Sequence, residues 1–268
     1  MRDEAFLREL LRLAGNRLRG HYGRVKTIHY KHGAATNLVT NADQDVELYI
    51  KRKIQKLFPA DAILAEESEI ENAKAPRRWI IDPLDGTTNF AHSFPFFSIS
   101  IGMEIEGEIV LGGVYNPIQE EFFFAKKGGG SRLNGKRIRV SETATLERSM
   151  LATGFPYTVH EHPEQSLPYF NSMIRRAQAI RRNGSASLDL CHLAMGRYDG
   201  FFEVELNPWD TAAGVLILKE AGGMVTNFDG HTYSIYGKDL AASNGRIHRQ
   251  MIEVLHQIKS GNRREMAL

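Results

Sequence analysis

The chain has 268 residues, 42% hydrophobic and 25% charged, with a formal net charge of +2 and one cysteine. That length suits one large domain or two halves with a sizeable core, and the composition is that of an ordinary globular protein. The near-neutral balance excludes a strong footprint for nucleic acid, Cys191 alone excludes a disulfide framework or a Cys-rich zinc site, and no apolar run reaches the roughly 20 residues of a membrane span.

Residues 2–22 carry Phe6, Leu7, Leu10, Leu11, Ala14 and Leu18 at helical spacing, ending near Gly20–Gly23. Asp3 and Glu4 within this amphipathic start argue against a signal peptide, so a cytoplasmic enzyme is the default expectation. The polar stretch Lys26 to Thr40 reads as a loop or short hairpin. Thr40-Asn41-Ala42-Asp43 resembles a capping box with Asp in the third position. The helix it opens shows Val46, Tyr49, Ile50, Ile54 and Leu57 on one face and stops at Pro59.

From Ile63 to Val140 the pattern changes to short apolar runs between turns. Strands are expected at Ile63–Ala65, Trp79–Ile81, Phe97–Glu104, Ile109–Tyr115, Glu121–Ala125 and Lys136–Val140. Glu106-Gly107-Glu108 and Asn134-Gly135 read as hairpin turns, so much of this sheet should be antiparallel. Beyond residue 145, helical patterns at 164–180, 185–196, 209–221 and 246–259 alternate with strands near 200–205, 223–228 and 239–243. The division is thus an α+β half over 1–145 and an α/β half over 146–268, forming one compact catalytic unit. The tail from Ser260 to Leu268 is expected to fray.

The chemistry concentrates in Trp79-Ile80-Ile81-Asp82-Pro83-Leu84-Asp85-Gly86-Thr87-Thr88-Asn89-Phe90. A buried strand end delivers two carboxylates and then a Gly-Thr-Thr turn. Pro83 biases Asp82 toward an extended conformation, and a turn there aims Asp82, the Leu84 carbonyl and Asp85 at one point. Gly86 permits close backbone approach, and the N–H groups opening at Thr87 suit an anion. Asp-Pro and Asp-Gly are also common turn dipeptides, so this stretch does not decide the matter alone. Glu66 and Glu67 add weight because they follow Ile63-Leu64-Ala65 at a strand end. Asp210 opens the apolar helix Thr211 to Ala221, where it can cap the helix and still keep lone pairs for a metal. A ligand set of hard oxygens without Cys or His points to Mg²⁺ or Mn²⁺ over zinc. Four clustered carboxylates need at least two divalent ions, and two such ions about 4 Å apart serve in-line displacement at phosphorus. The reading is a metal-dependent phosphomonoesterase.

With Leu38-Val39-Thr40-Asn41-Ala42-Asp43, Arg182-Asn183-Gly184-Ser185-Ala186, Asp199-Gly200-Phe201-Phe202-Glu203, Pro208-Trp209-Asp210 and Glu220-Ala221-Gly222-Gly223, the chain resembles the inositol monophosphatase family, closest to its bacterial members. The resemblance spans nearly the whole chain. It implies a layered αβαβα sandwich, usually a homodimer, acting with two or three Mg²⁺ (Mn²⁺ as a substitute) and inhibited by Li⁺. It gives Glu66, Asp82, the Leu84 carbonyl, Asp85 and Asp210 to the metals and makes Glu67, Thr87 and Asp43 catalytic, Thr87 with Asp43 orienting the attacking water. Gly86 and Thr87 N–H groups would hold the phosphate. Asp85, Gly184, Ser185, Ala186, Glu203 and Asp210 would face the alcohol, and Lys31 would approach a third metal position. Ala65 stands where many relatives have Gly, and Asn41-Ala42 departs from the commoner pattern; both leave substrate choice open. The favoured substrate is inositol monophosphate or another small polyol phosphate, with fructose 1,6-bisphosphate or a 3′-phosphoadenosine-type nucleotide as alternatives.

Rival signals are weaker. Gly130 to Lys136 matches part of a phosphate-binding loop, but Arg137 replaces the required hydroxyl and Ile138-Arg139-Val140 is strand-like, so it reads as a Gly-rich hairpin. Ser185, Asp189 and His192 lack a nucleophile elbow. His160-Glu161-His162 reads as solvated loop and Cys191 as packing. Arg175-Arg176, Arg181-Arg182 and Arg263-Arg264 raise association with RNA or RNA polymerase, but they are scattered, without interleaved aromatics.

Overall fold

In the computed structural model the described residues are 2–24, the backbone of 28–30, and 38–261. Five layers alternate helix and sheet, as the resemblance implies. The outer pair α1 (Arg2–His21) and α2 (Asn41–Leu57) covers one face of a seven-stranded sheet. Its strands are β3 (Ala62–Ala65), β4 (Arg77–Asp85), β5 (Ser98–Ile105), β6 (Glu108–Asn116), β7 (Glu121–Lys126), β8 (Gly130–Leu133) and β9 (Lys136–Arg137), in sequence order. All neighbours are antiparallel except β3 with β4. Before it, β1 (Ile28–Tyr30) and β2 (Leu38–Thr40) form a short antiparallel hairpin, one of the two forms expected for that stretch.

The central layer is α5 (Ala186–Ala194) with α6 (Pro208–Glu220). Thr211 to Leu218 of α6 are all buried, as befits a helix sandwiched between sheets and apolar all round. Its close seat on the first sheet depends on glycine: a Cβ at Gly102 would stand 3.0 Å from Ala212 Cβ, and one at Gly112 2.9 Å from the Ala213 carbonyl. Beyond it lies a five-stranded sheet ordered β11-β10-β12-β14-β13, from β10 (Met150–Thr153), β11 (Ala179–Arg181), β12 (Gly200–Val204), β13 (Met224–Thr226) and β14 (Asp239–Ser243). The last layer is α4 (Leu167–Ile174) with α7 (His248–Lys259). Three apolar clusters fill the four interfaces. Leu7, Val46, Trp79 and Phe97 belong to the first, Ile80, Phe123, Leu190 and Ile217 to the second, Phe202, Phe228 and Met251 to the third.

Two expectations need correction. The helix read over 164–180 holds only over Leu167–Ile174, and Ala179–Arg181 is instead a parallel strand beside Met150–Thr153, itself unforeseen. The second sheet is mixed: β10 runs parallel to β11 and β12, and β14 runs antiparallel to β12 and β13. The strand expected at Lys136–Val140 shrinks to Lys136–Arg137. The hairpin through Asn134-Gly135 is present, and the amides of Gly128 and Gly130 donate to Glu220, so the protein's own carboxylate occupies the place a phosphate would need.

Candidate active site

β4 runs straight through Pro83. Asp82 pairs with Ser100 and Asp85 with Ser98, so β4 carries one extra residue in a bulge. Pro83 sits where its missing N–H costs no ladder bond. The Asp82 carboxylate turns back to accept from the Leu84 amide at 2.9 Å. A bulge, rather than a free turn, therefore aims this carboxyl pair.

Gly86 follows in the left-handed region (φ 96°) and leads into the short helix α3 (Thr87–Ala91). A Cβ there would lie 3.1 Å from both the Gly184 and the Phe96 carbonyls. Strain and crowding together should cost Gly86→Ala about 1–3 kcal/mol. A thermal melt several degrees below wild type is expected, and an unchanged midpoint would contradict this account of the turn.

Two further acids arrive by one local device. At the start of α2, Asp43 is the third residue of the expected capping box: its Oδ2 accepts from the Thr40 amide at 2.7 Å and the Thr40 hydroxyl at 2.6 Å. Its Oδ1 accepts from Thr87 Oγ1 at 3.0 Å, a hydroxyl that also lies 3.0 Å from the Leu84 carbonyl. Asp210 is likewise the third helical residue of α6, not its cap; Asn207 is the cap, and its amide donates to Asp210 Oδ2 at 2.6 Å. Glu66 and Glu67 follow β3 as expected, and the Glu67 amide donates to Glu47 Oε2 at 2.8 Å.

Glu66, Asp85, Gly86, Thr87, Gly184, Ser185, Ala186, Glu203 and Asp210 line one cleft of about 490 Å³. Asp82 lies beneath it, 1% exposed; burial and the charges of Glu66, Asp85 and Asp210 push its pKa well up. Burial likewise raises Asp85, Asp43 and Asp210, the last to about 8. Asp85 Oδ2 accepts from Ser185 Oγ at 2.6 Å, the Ser187 amide at 2.8 Å and Ser187 Oγ. Among the described residues no Lys or Arg forms an ion pair with Asp82, Asp85 or Asp210. Among the described residues no three His, Cys, Asp or Glu side chains are arranged to hold a metal ion.

Several contributors escape a reading of the sequence. Asn89 Nδ2 donates to the Phe96 and Asn183 carbonyls at 2.6 and 2.7 Å, tying α3 to the Gly184 segment. Asp189, 1% exposed, lines the cleft and accepts from Asn183 at 2.9 Å. Tyr157 reaches the same cleft, its phenol pushed up by burial and the four carboxylates. Phe155 and Trp209 join it, so three aromatic residues line the cleft. Adjacency to Gly-Thr-Thr was a signal for Asn89; the others depend on contacts distant in the chain.

The dismissed triad is absent: Ser185 serves Asp85, whereas His192 meets Glu121 at 3.0 Å. Cys191 is buried packing, and His162 is exposed beside Glu164. Lys31, Arg263 and Arg264 lie outside the described residues.

The model of the inositol monophosphatase family matches residues 3–260. The fructose-1,6-bisphosphatase/inositol-1-monophosphatase of Thermotoga maritima is 41% identical over 93% of this chain and 94% of its own length. The Nus factor SuhB of Escherichia coli K12 is 40% identical over 90% of this chain and 91% of its own. A solved Thermotoga maritima inositol monophosphatase superposes with a TM-score of 0.89 at 40% identity, covering 97% of this chain and 99% of that one. On sequence and fold together, the chain belongs to the inositol monophosphatase family and is a phosphatase of that type.

Proposed function

We propose that the chain is a Mg²⁺-dependent phosphomonoesterase that hydrolyses inositol monophosphate or a similar small polyol phosphate, working as a homodimer. The observation that carries this reading is the buried, mutually repelling group of Asp82, Asp85 and Asp210, which no described Lys or Arg neutralises. The donor set suits hard divalent cations. The hydrogen bonds described above fall on one oxygen of Asp82, of Asp85 and of Asp210, while Glu66 and the Leu84 carbonyl add oxygen donors. Bound cations would supply charge stabilisation at the phosphoryl and leaving oxygens and acidify water.

The chain's own residues then do the following. The Thr87 hydroxyl donates its hydrogen bond to Asp43, so its oxygen lone pairs orient a water for in-line attack. Gly86 and Thr87 N–H groups hold phosphoryl oxygens, and Glu67 fixes the neighbouring acidic segment. The bond from water oxygen to phosphorus forms as the ester bond breaks; the alcohol leaves with a proton, without a covalent phosphoenzyme. Gly184, Ser185, Ala186 and Glu203 form the alcohol side of the cleft, with Asp85 and Asp210 at its junction with phosphate. Burial and Asp189 push Glu203 up to about 8, and its carboxyl accepts from substrate hydroxyls.

Arg182 and the aromatic residues of the cleft are groups that a bisphosphate or nucleotide would use, so substrate choice is tested directly. Chelated protein should release no phosphate from inositol 1-phosphate, glycerol 2-phosphate, fructose 1,6-bisphosphate or an adenosine bisphosphate. Mg²⁺ should restore release, fastest from inositol 1-phosphate, and Li⁺ should suppress it. Preference for the adenosine ester would overturn the substrate assignment; full activity in chelator would overturn the metal. The relative named as a Nus factor favours a second, compatible role at the transcription machinery, which salt-dependent retention on RNA polymerase would detect. No described helix is long and apolar enough to cross a membrane.

A further inference from the structure

Gly154 leaves the end of β10 beside β12. The parallel register pairs Leu151 with Gly200, Ala152 with Phe201 and Thr153 with Phe202, so the next rung sets Gly154 against Glu203. Thr153 Oγ1 pins that rung by donating to the Phe202 carbonyl at 2.7 Å. A Cβ on Gly154 would lie 2.1 Å from Glu203 Oε1 and 2.4 Å from both its Cδ and Oε2. Atoms do not approach that closely. Gly154 also lacks the positive φ that requires glycine at Gly86 and Gly184. Its backbone would accept a side chain; the Glu203 carboxyl would not. Because the colliding atoms are the tip of a flexible side chain, a larger residue would be relieved by rotation of Glu203 rather than by opening the sheet.

Both residues line the cleft. We infer that Gly154 is a specificity-determining position: its missing side chain is the space in which the Glu203 carboxyl stands to receive the hydroxyls of the alcohol. The inference rests on the alcohol-side assignment proposed above. Filling that space displaces the acceptor while leaving the carboxylate cluster and Thr87 in place. A substrate rich in hydroxyls should suffer far more than an ester whose leaving group carries none.

The test measures kcat/KM on inositol 1-phosphate and p-nitrophenyl phosphate for wild type, Gly154→Ala, Glu203→Ala and the double variant, with a thermal melt for each. Gly154→Ala should lower the ratio of the two values about tenfold, chiefly through KM, the scale of one lost hydrogen bond. In the double variant the ratio should be no lower than in Glu203→Ala, because the two changes remove one interaction. An unchanged ratio in folded Gly154→Ala, or an additive loss in the double variant, overturns the inference. If Gly154→Ala alone fails to fold, recovery of folding in the double variant supports the steric coupling, and failure of both overturns it. Wild-type protein inactive on inositol 1-phosphate overturns the alcohol assignment itself, a separate result.

Discussion

Asp82→Asn and Asp85→Asn should each lower turnover on the order of 10³-fold at a fixed Mg²⁺ concentration, the scale of losing several kcal/mol of transition-state stabilisation. Neither change should unfold the protein. The amide that replaces the Asp82 carboxylate keeps an oxygen for the Leu84 amide, and the one that replaces the Asp85 carboxylate keeps an oxygen for the donors from Ser185 and Ser187. Replacing an acid whose ionisation is opposed by burial and by the charges of Glu66, Asp85 and Asp210 should instead raise the melting temperature of metal-free Asp82→Asn above that of wild type. This pairing of lost activity with gained metal-free stability separates a binding acid from a structural one. A merely structural Asp82 would lose both, and near-normal turnover of both variants would reject the assignment.

The second large effect is the coupling of metal, pH and stability. Asp210 and Glu203 are raised to about 8, so between pH 6.5 and 8 the folded chain holds protons that the unfolded chain has released. Their stabilising contribution is complete below the ordinary carboxylate range near pH 4 and is lost as pH rises through 8. His248, buried and lowered to about 4, has the opposite sign but acts only below its ordinary value near 6.5. Carboxylates lowered by ion pairs, such as Asp45 beside Arg17 and Asp229 beside Lys259, lose their contribution only at still lower pH. Metal-free protein should therefore melt progressively lower from pH 6.5 to 8. Mg²⁺ at about 100 times its dissociation constant adds roughly 2.7 kcal/mol, or about 5–10 °C, and at a fixed Mg²⁺ concentration the gain should grow with pH as proton competition fades and the dissociation constant falls. Melts in chelator and in Mg²⁺ across this range check it. A metal-free midpoint that rises with pH, or a Mg²⁺ shift independent of pH, would contradict the cluster's electrostatics.

The parts legible from sequence are those encoded by local chemistry. Thr40 to Asp43 announces its capping box, and the apolar faces of α1 and α2 emerge where their periodicity puts them. Asp85, Glu66 and Asp210 sit at a strand end or helix start, where a carboxylate is conspicuous, and Asp82 is marked by the Asp-Pro step at the β4 bulge. The β11 strand is not readable. Met173, Ile174, Ala177 and Ile180 keep a helix-like spacing, and a three-residue strand is defined only by its parallel neighbour β10. Glu47 falls on the buried side of α2, where a charged residue reads as solvent-facing until the Glu67 amide is seen to need it. Ser187 meets Asp85 across 102 residues, and no local pattern marks that contact. The charges of Glu66, Asp85 and Asp210 act on Asp82 from three other parts of the chain, a tertiary effect that spacing in sequence does not express.

The most direct measurement is an anomalous difference map from crystals of this chain soaked in Mn²⁺. Two or more peaks enclosed by the carboxylates of Glu66, Asp82, Asp85 and Asp210 and the Leu84 carbonyl, with ligand distances of about 2.0–2.3 Å, are the predicted result. A map without density among those side chains, from crystals of protein that still hydrolyses phosphate esters in Mn²⁺, would contradict the account.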